Sequence, residues 1–281
     1  MHRALAASIV ALVLSSPASA LYLYGITETH LVEIDLTDPS RVRTIGAHGL
    51  DARLLYALDN VPDGDRLIGM SLVDLGGGVL EFTAVEYDIA TGVGSELAFL
   101  GDSNSIGTFD SLVYVDSVDS LVASFGADNA THELITVDPD TGATSPVVDS
   151  PALDIDASAY DDVRDLYYAW DPNGAAQLEA IDLTDGSLTP MGSVPSTFGD
   201  GAFSEGDGGL FILERADNSL VQVQTTDGFG PITLVAGGAV AGDPLRAIAF
   251  SPVPEPHATA ALAIGAAIVI SLAQRRRLRQ T

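Results

Sequence analysis

Five stretches of the chain follow one plan: LVEIDLTDPS (31–40), AVEYDIATGV (84–93), LITVDPDTGA (134–143), LEAIDLTDGS (178–187) and a degenerate LVQVQTTDGF (220–229). Each is an apolar run ending on Asp35, Asp88, Asp138 or Asp182, with Gln224 in that place in the last copy. Thr, Asp or Gly follows. The marked positions lie 53, 50, 44 and 42 residues apart. An Asp side chain bonds the backbone just ahead of it and a following Gly accepts positive φ, so the motif predicts a tight turn. The alternation in Leu134-Ile135-Thr136-Val137 predicts strands on either side, and hence hairpins.

A second strand pair precedes the later copies, in SLVYVDSVDSLVASFG (111–126), SAYDDVRDLYYAWD (158–171) and GAFSEGDGGLFILER (201–215). Four strands per 42–53 residues, with turns at fixed places, predict an all-β chain built as a β-propeller. No stretch of 21–252 carries a helical period. The piece Leu245 to Ser251 reads as a first strand lacking its sheet, and Leu21 to Gly25 as a second strand lacking its first. Joined, they complete the sheet that holds Asp35 and remove an exposed edge. The count is five blades of about 46 residues over 21–251, and the irregular stretch 63–80 leaves room for a hairpin of a sixth. A β-sandwich of similar hairpins is the alternative. The pattern LYGI…L..ID..TG resembles that of bacterial propeller repeats, a likeness of architecture that implies no activity.

Formal charge is −27, and all 12 basic residues are Arg. Hydrophobic residues make up 47% of the chain and charged ones 18%, enough apolar material for a core. Residues 21–252 hold 7 Arg against 38 acids, so the acidity belongs to the repeat region. That excludes nucleic acid as a default partner, since binding phosphates needs a basic surface. With no Cys there are no disulfides, thiolate metal sites or Cys nucleophiles. With no Lys there is no Schiff base or P-loop lysine.

The two ends are a different kind of sequence. Residues 1–20 place Arg3 before an apolar run from Leu5 to Leu14, then Ala18-Ser19-Ala20, the three parts of a secretory signal peptide cleaved after Ala20. Near the other end Ala258 to Ala273 carries no charge. At about 1.5 Å per residue this transmembrane segment makes about 24 Å of helix, a little under the ~30 Å hydrocarbon core. Arg275, Arg276, Arg277 and Arg279 follow and, by the positive-inside rule, mark the cytoplasmic side. Both ends thus predict that 21–251 lies outside the cytoplasm.

Pro254-Glu255-Pro256, then the short apolar helix, then the Arg cluster, resembles the PEP-CTERM protein-sorting signal over residues 252–279. The resemblance implies a Gram-negative bacterium that makes extracellular polysaccharide, and an exosortase that processes the chain near Pro-Glu-Pro. It implies a surface or secreted protein, in transit on the inner membrane. Pro254 and Pro256 hold the backbone extended before the helix, where a protease can reach it. A plain tail anchor is the alternative.

Chemistry is sparse. His30, His48 and His132 have no second His at metal-ligand spacing. Gly101-Asp102-Ser103-Asn104 is similar to the nucleophile block of the Gly-Asp-Ser lipases, but it sits in mid-repeat without the later Asp-x-x-His. The Asp-rich loops at 59–65 and 138–142 supply calcium candidates, Asp59, Asp63, Asp65, Asp138 and Asp140, against the stronger reading of solvated turns. No catalytic residue or resident cofactor is assigned. The expectation is an exported, non-enzymatic binding or scaffold module associated with the cell surface or exopolysaccharide. A polysaccharide or lactone hydrolase or lyase, with its site in the propeller channel, is the alternative.

The acidic repeat region predicts stabilisation by salt through charge screening. The melting temperature is expected to rise between low and molar salt, and a midpoint indifferent to both salt and calcium would remove that expectation.

Overall fold

The computed structural model describes residues 22–250, apart from 51–52, 62–65, 104–107, 129–130, 139, 149–154, 156, 162–163, 172–176, 194–197, 205–208, 215–218, 225–231 and 237–243. The expected signal-cleavage residues Ala18 and Ala20, the expected sorting motif Pro254-Glu255-Pro256, the stretch 258–273 expected to be a helix, and Arg275, Arg276, Arg277 and Arg279 lie outside the described residues. So do Asp63 and Asp65. Among the described residues no helix is long and apolar enough to cross a membrane.

The described strands form four-stranded antiparallel sheets, and the order within each is that of the chain in all but one. Sheet I joins β1 (Tyr22–Ile26), β2 (His30–Asp35) and β3 (Val42–Ala47) to the last strand, β20 (Ala247–Phe250). Sheet II holds β4 (Leu54–Val61), β5 (Arg66–Gly76), β6 (Val79–Tyr87) and β7 (Gly94–Asp102). Sheet III holds β8 (Thr108–Val115), β9 (Ser120–Asp128), β10 (Thr131–Val137) and β11 (Thr144–Val148). Sheet IV holds β12 (Ala157–Asp161), β13 (Leu166–Asp171), β14 (Gln177–Ile181) and β15 (Leu188–Ser193). Sheet V holds β16 (Phe198–Ser204), β17 (Gly209–Glu214), β18 (Ser219–Gln224) and β19 (Ile232–Ala236). The stretch 63–80 adds no sheet of its own. From Arg66 onward it is β5 and the glycine turn at its tip, so it lengthens the middle hairpin of sheet II.

The innermost strands β20, β4, β8, β12 and β16 pack each against the next, and β16 packs back against β20. The fold is an all-β propeller. Every sheet is covered on both faces, which explains why β1 and β14 are buried almost throughout instead of at alternate positions. In sheet I, Leu23 turns to Leu213 and Leu220 of sheet V, while Tyr24 and Ile26 turn to Leu55, Leu58 and Val85 of sheet II. Phe82, Met70 and Leu100 of sheet II meet Phe109, Leu112 and Ile135 of sheet III. Val113 and Leu134 meet Tyr167 and Ile181 across the next interface, and Trp170 and Leu178 meet Leu210 and Val221 across the one after. The expected junction of the two ends is present: β1 pairs with β20, Leu23 standing opposite Phe250 and Ile26 opposite Ala247.

The repeated Asp does the same work in four sheets. Asp88 Oδ1 accepts the backbone N–H of Ala90 at 2.8 Å and of Thr91 at 3.1 Å. Asp138 Oδ1 accepts those of Asp140 at 2.8 Å and Thr141 at 2.9 Å. Asp35 and Asp182 each accept the N–H and hydroxyl of the Thr two residues on. These bonds hold all four carboxyls below the usual Asp range, the Thr hydroxyl leading at Asp35 and Asp182 and the backbone donors at Asp88 and Asp138.

Two of these turns also dock on the outermost strand of the preceding sheet. Gly92 has φ +80°, and a Cβ there would lie 2.7 Å from the Gly46 backbone of β3. Gly142 has φ +70°, and its Cβ would lie 2.8 Å from Phe99 O of β7. The glycine therefore satisfies both the turn and the approach between sheets. Arg66 spans the same interface, with Glu86 at 2.9 Å and Asp140 at 3.3 Å.

Gly92→Ala and Gly142→Ala are each expected to destabilise the protein by about 2–4 kcal/mol, combining left-handed strain with a backbone clash. Gly77→Ala, at φ +69° with open space around it, is expected to cost about 1 kcal/mol. Equal midpoints of denaturation for all three variants would contradict the docking role.

Candidate functional site

The turn motif sets a common count across the sheets. The residue before each marked Asp or Gln pairs with a residue of the second strand, and that one with a residue of the innermost strand. The five innermost positions so defined are Asn60, Tyr114, Tyr160, Phe203 and Phe250. They stand near the C-terminal ends of the innermost strands, so they mark one mouth of the ring.

One residue before that position stand Asp59, Val113, Ala159, Ala202 and Ala249. Asp59 is the one acid among apolar residues. Its Oδ2 accepts the N–H of Tyr114 at 2.6 Å, so it stitches β4 to β8, the innermost strands of two adjacent sheets. Burial pushes its pKa up to about 7, with nearby Asp116 adding to the rise and the N–H groups of Tyr114 and Asn60 opposing it.

The tyrosines carry a repeated brace. Tyr114 Oη donates to Asp119 Oδ1 at 2.7 Å, and Tyr160 Oη donates to Asp165 Oδ1 at 2.7 Å. Asp119 and Asp165 close the first hairpin of sheets III and IV at φ +49° and +55°, a conformation Asp tolerates better than most side chains. Burial, helped by its bond to Asp165, raises the Tyr160 pKa to about 12, which keeps the phenol a donor. Beside it, the fully buried Asp161 accepts the Arg164 backbone N–H at 3.0 Å and the Arg164 guanidinium. Tyr168 Oη donates to the same carboxylate at 3.4 Å. The bond to Asp161 raises the Arg164 pKa.

This mouth carries carboxylates and phenol hydroxyls, braced to one another, on a ring of strands, and groups of these kinds hydrogen-bond polyhydroxylated or cationic ligands. Among the described residues no group of three or more His, Asp or Glu side chains could hold a metal ion. Asp138 is engaged by its own turn, and Asp140 faces Arg66. Asp59 lies apart from both, in an innermost strand, so the structure does not bring the described calcium candidates together.

The remaining sequence candidates have local roles. Ser103 N donates to Leu80 O at 2.8 Å, and its Oγ accepts the Leu80 N–H at 3.0 Å. The Gly-Asp-Ser block therefore ties a loop to the long β5–β6 hairpin. His30 Nδ1 meets Thr29 Oγ1 at 2.7 Å beside the β1–β2 turn. His48 is buried, and the side chain of His132 lies outside the described residues. A separate apolar cavity of about 160 Å³ opens between sheets II and III, lined by Leu100, Phe109, Phe125, Ile135 and Thr144 to Pro146. Sequence reasoning missed the brace, although Tyr and Asp five residues apart, at 114 and 119 and again at 160 and 165, are visible in the chain.

Because the fold favours the neutral Asp59 carboxyl, Asp59 makes stability fall as pH rises from the ordinary Asp range toward about 7. The braced turn carboxyls act with the opposite sign, losing stability as pH falls below that range. Asp59→Asn keeps an acceptor for Tyr114 and is expected to melt roughly 3–6 °C above the parent protein at pH 8, the gap shrinking toward pH 4.5. A constant gap across pH would show that Asp59 stays ionised in the fold.

No family model matches the sequence, and no curated protein does. Solved structures do resemble it. A chain from the crystal structure of a nidogen/laminin complex superposes with a TM-score of 0.56 at 9% identity, over 82% of this chain and 98% of that one. TolB from Acinetobacter baumannii superposes with a TM-score of 0.52 at 13% identity, over 82% of this chain and 56% of TolB. At such identities the likeness is one of fold, and the fold is that of a β-propeller.

Proposed function

We propose that this chain is an exported, membrane-tethered protein whose five-bladed propeller is a binding or scaffold module at the cell surface or in the exopolysaccharide. The signal-like residues 1–20 and the three-part tail at 252–279 support export, and Pro254-Glu255-Pro256 supports sorting by an exosortase-type enzyme. The observation that carries the reading is that the ring is closed within the described residues. The closing strand ends at Phe250, four residues before Pro254. A cut near Pro-Glu-Pro removes no described strand, so the tail can be processed without opening the ring.

Binding is the reading best supported for the ring itself. Its mouth presents braced carboxylates and phenols, and Ser103, whose block lacks the later Asp-x-x-His of the lipases, is engaged in a loop tie. The nidogen/laminin structure supplies a precedent of the same architecture in a protein complex. A polyhydroxylated matrix polymer suits the hydroxyl and carboxylate chemistry of the mouth.

Mass spectrometry of the mature protein from its native host tests the sorting half. The expected C-terminus lies close to Pro254-Glu255-Pro256 and the expected N-terminus is Leu21. An intact Arg-rich tail would instead mean a plain anchor.

A further inference from the structure

His48 lies at the junction between sheet I, which closes the ring, and sheet II. It is 1% exposed. Its backbone N–H donates to Thr29 O at 3.1 Å, beside the β1–β2 turn, and its carbonyl accepts the N–H of Gly94 at 2.9 Å, at the start of β7. Its ring stands edge-on to Tyr87 of β6, with centroids 6.4 Å apart. Nδ1 accepts the N–H of Leu50 at 3.1 Å. Leu50 in turn belongs to the apolar cluster that joins Tyr24 and Ile26 of β1 and Ala247 and Ala249 of β20 to Leu55, Leu58 and Val85 of sheet II.

An Nδ1 that accepts a backbone N–H carries no proton, so this fold uses the neutral imidazole with its proton on Nε2. Protonating Nδ1 turns an acceptor toward a donor, breaks the Leu50 bond and sets a cation beside an apolar interface. Among the described residues the titratable and charged groups nearest these contacts are Tyr87 on β6, Tyr24 on β1, Glu28 and His30 at the β1–β2 turn, Arg53 ahead of β4, Glu96 on β7 and Arg246 ahead of β20, which pairs with Glu28. Arg53 and Glu96 are joined to each other, and Arg53 also bonds Ser71 Oγ at 3.1 Å. Burial pushes the Tyr87 hydroxyl above its ordinary range, so it remains neutral.

We propose that His48 is an acid-sensitive latch on ring closure. Above the ordinary His range the neutral ring holds the linker from β3 to β4 against the closing sheet. Below the ordinary His range the unfolded chain takes up a proton that the folded ring resists, so the latch's contribution to stability is lost as pH falls, and the seam between sheet I and sheet II is the first to loosen. The acid dependence of Asp59 has the opposite sign and lies in another interface, so the two separate by mutation.

The test uses the whole chain in detergent. Thermal melts at pH 7.5 and 5.5 are compared for the parent protein and His48→Gln, whose amide oxygen can still accept from Leu50. The parent is expected to lose about 3–4 °C more than the variant over that interval. The amide of Leu50 supplies a second readout that needs no variant: its resonance is expected to follow the His48 titration, and its hydrogen exchange to quicken on the acid side. Coincident pH profiles for the two proteins, or a ring nitrogen spectrum showing Nδ1 protonated at pH 7.5, would overturn the proposal.

Discussion

The structure depends on a constraint of coverage: each sheet is apolar on both faces and so needs a neighbour on each side. A row of such sheets leaves two open faces at its ends, and only a closed ring leaves none. Closure is made by the pairing of β20 with β1, which places the last described strand innermost in the first sheet. Leu23 and Tyr24 show the consequence on adjacent residues, one facing sheet V and the other sheet II. Polar substitution on either face would open a seam, toward sheet V on one face and toward sheet II on the other, so neither face of β1 is a solvent face.

Much of this was legible in the sequence because the deciding chemistry is local. The carboxylates of Asp35, Asp88, Asp138 and Asp182 bond backbone groups within three residues, so motif and turn are the same fact. The junction of residues 21–25 with 245–251 was legible because each fragment lacks the strand that the other supplies. Asp59 was not. Its partner is the N–H of Tyr114, in a different sheet, and a loop rich in Asp reads as a solvated or calcium-binding turn until the two innermost strands are placed side by side. The tie of Ser103 to Leu80 was hidden for the same reason, since it depends on how far the β5–β6 hairpin reaches. The Tyr–Asp brace of the candidate site leaves a spacing of five in the chain, whereas the bond from Asp59 to Tyr114 runs between sheets and leaves none.

The acidity of the repeat region also looks different once placed. Many of its carboxylates are structural acceptors for turn amides, tyrosine hydroxyls or arginines. Asp119 and Asp165 do this for tyrosines, Asp161 for Arg164, and Glu33 for Arg43, which it meets at 2.6 Å. In the tight turns Asp serves better than Glu because its short side chain reaches its own backbone, as at Asp35, Asp88, Asp138 and Asp182. A surface charge that seems to need a cationic partner is in part the by-product of a fold built from many tight turns.

The place of β20 bears on how the chain is made. Synthesis runs from the N-terminus, so β1 to β3 emerge early and wait for their innermost strand until nearly the whole chain is present. Until then sheet I keeps an unpaired edge on β1, and its apolar face toward sheet V is bare. Closing the ring joins the most distant parts of the described chain, a slow step by loop-closure entropy. The nascent protein therefore passes through a long interval in which β1 is an adhesive edge, and a companion that shields residues 22–26 would matter more to yield than to the stability of the finished ring.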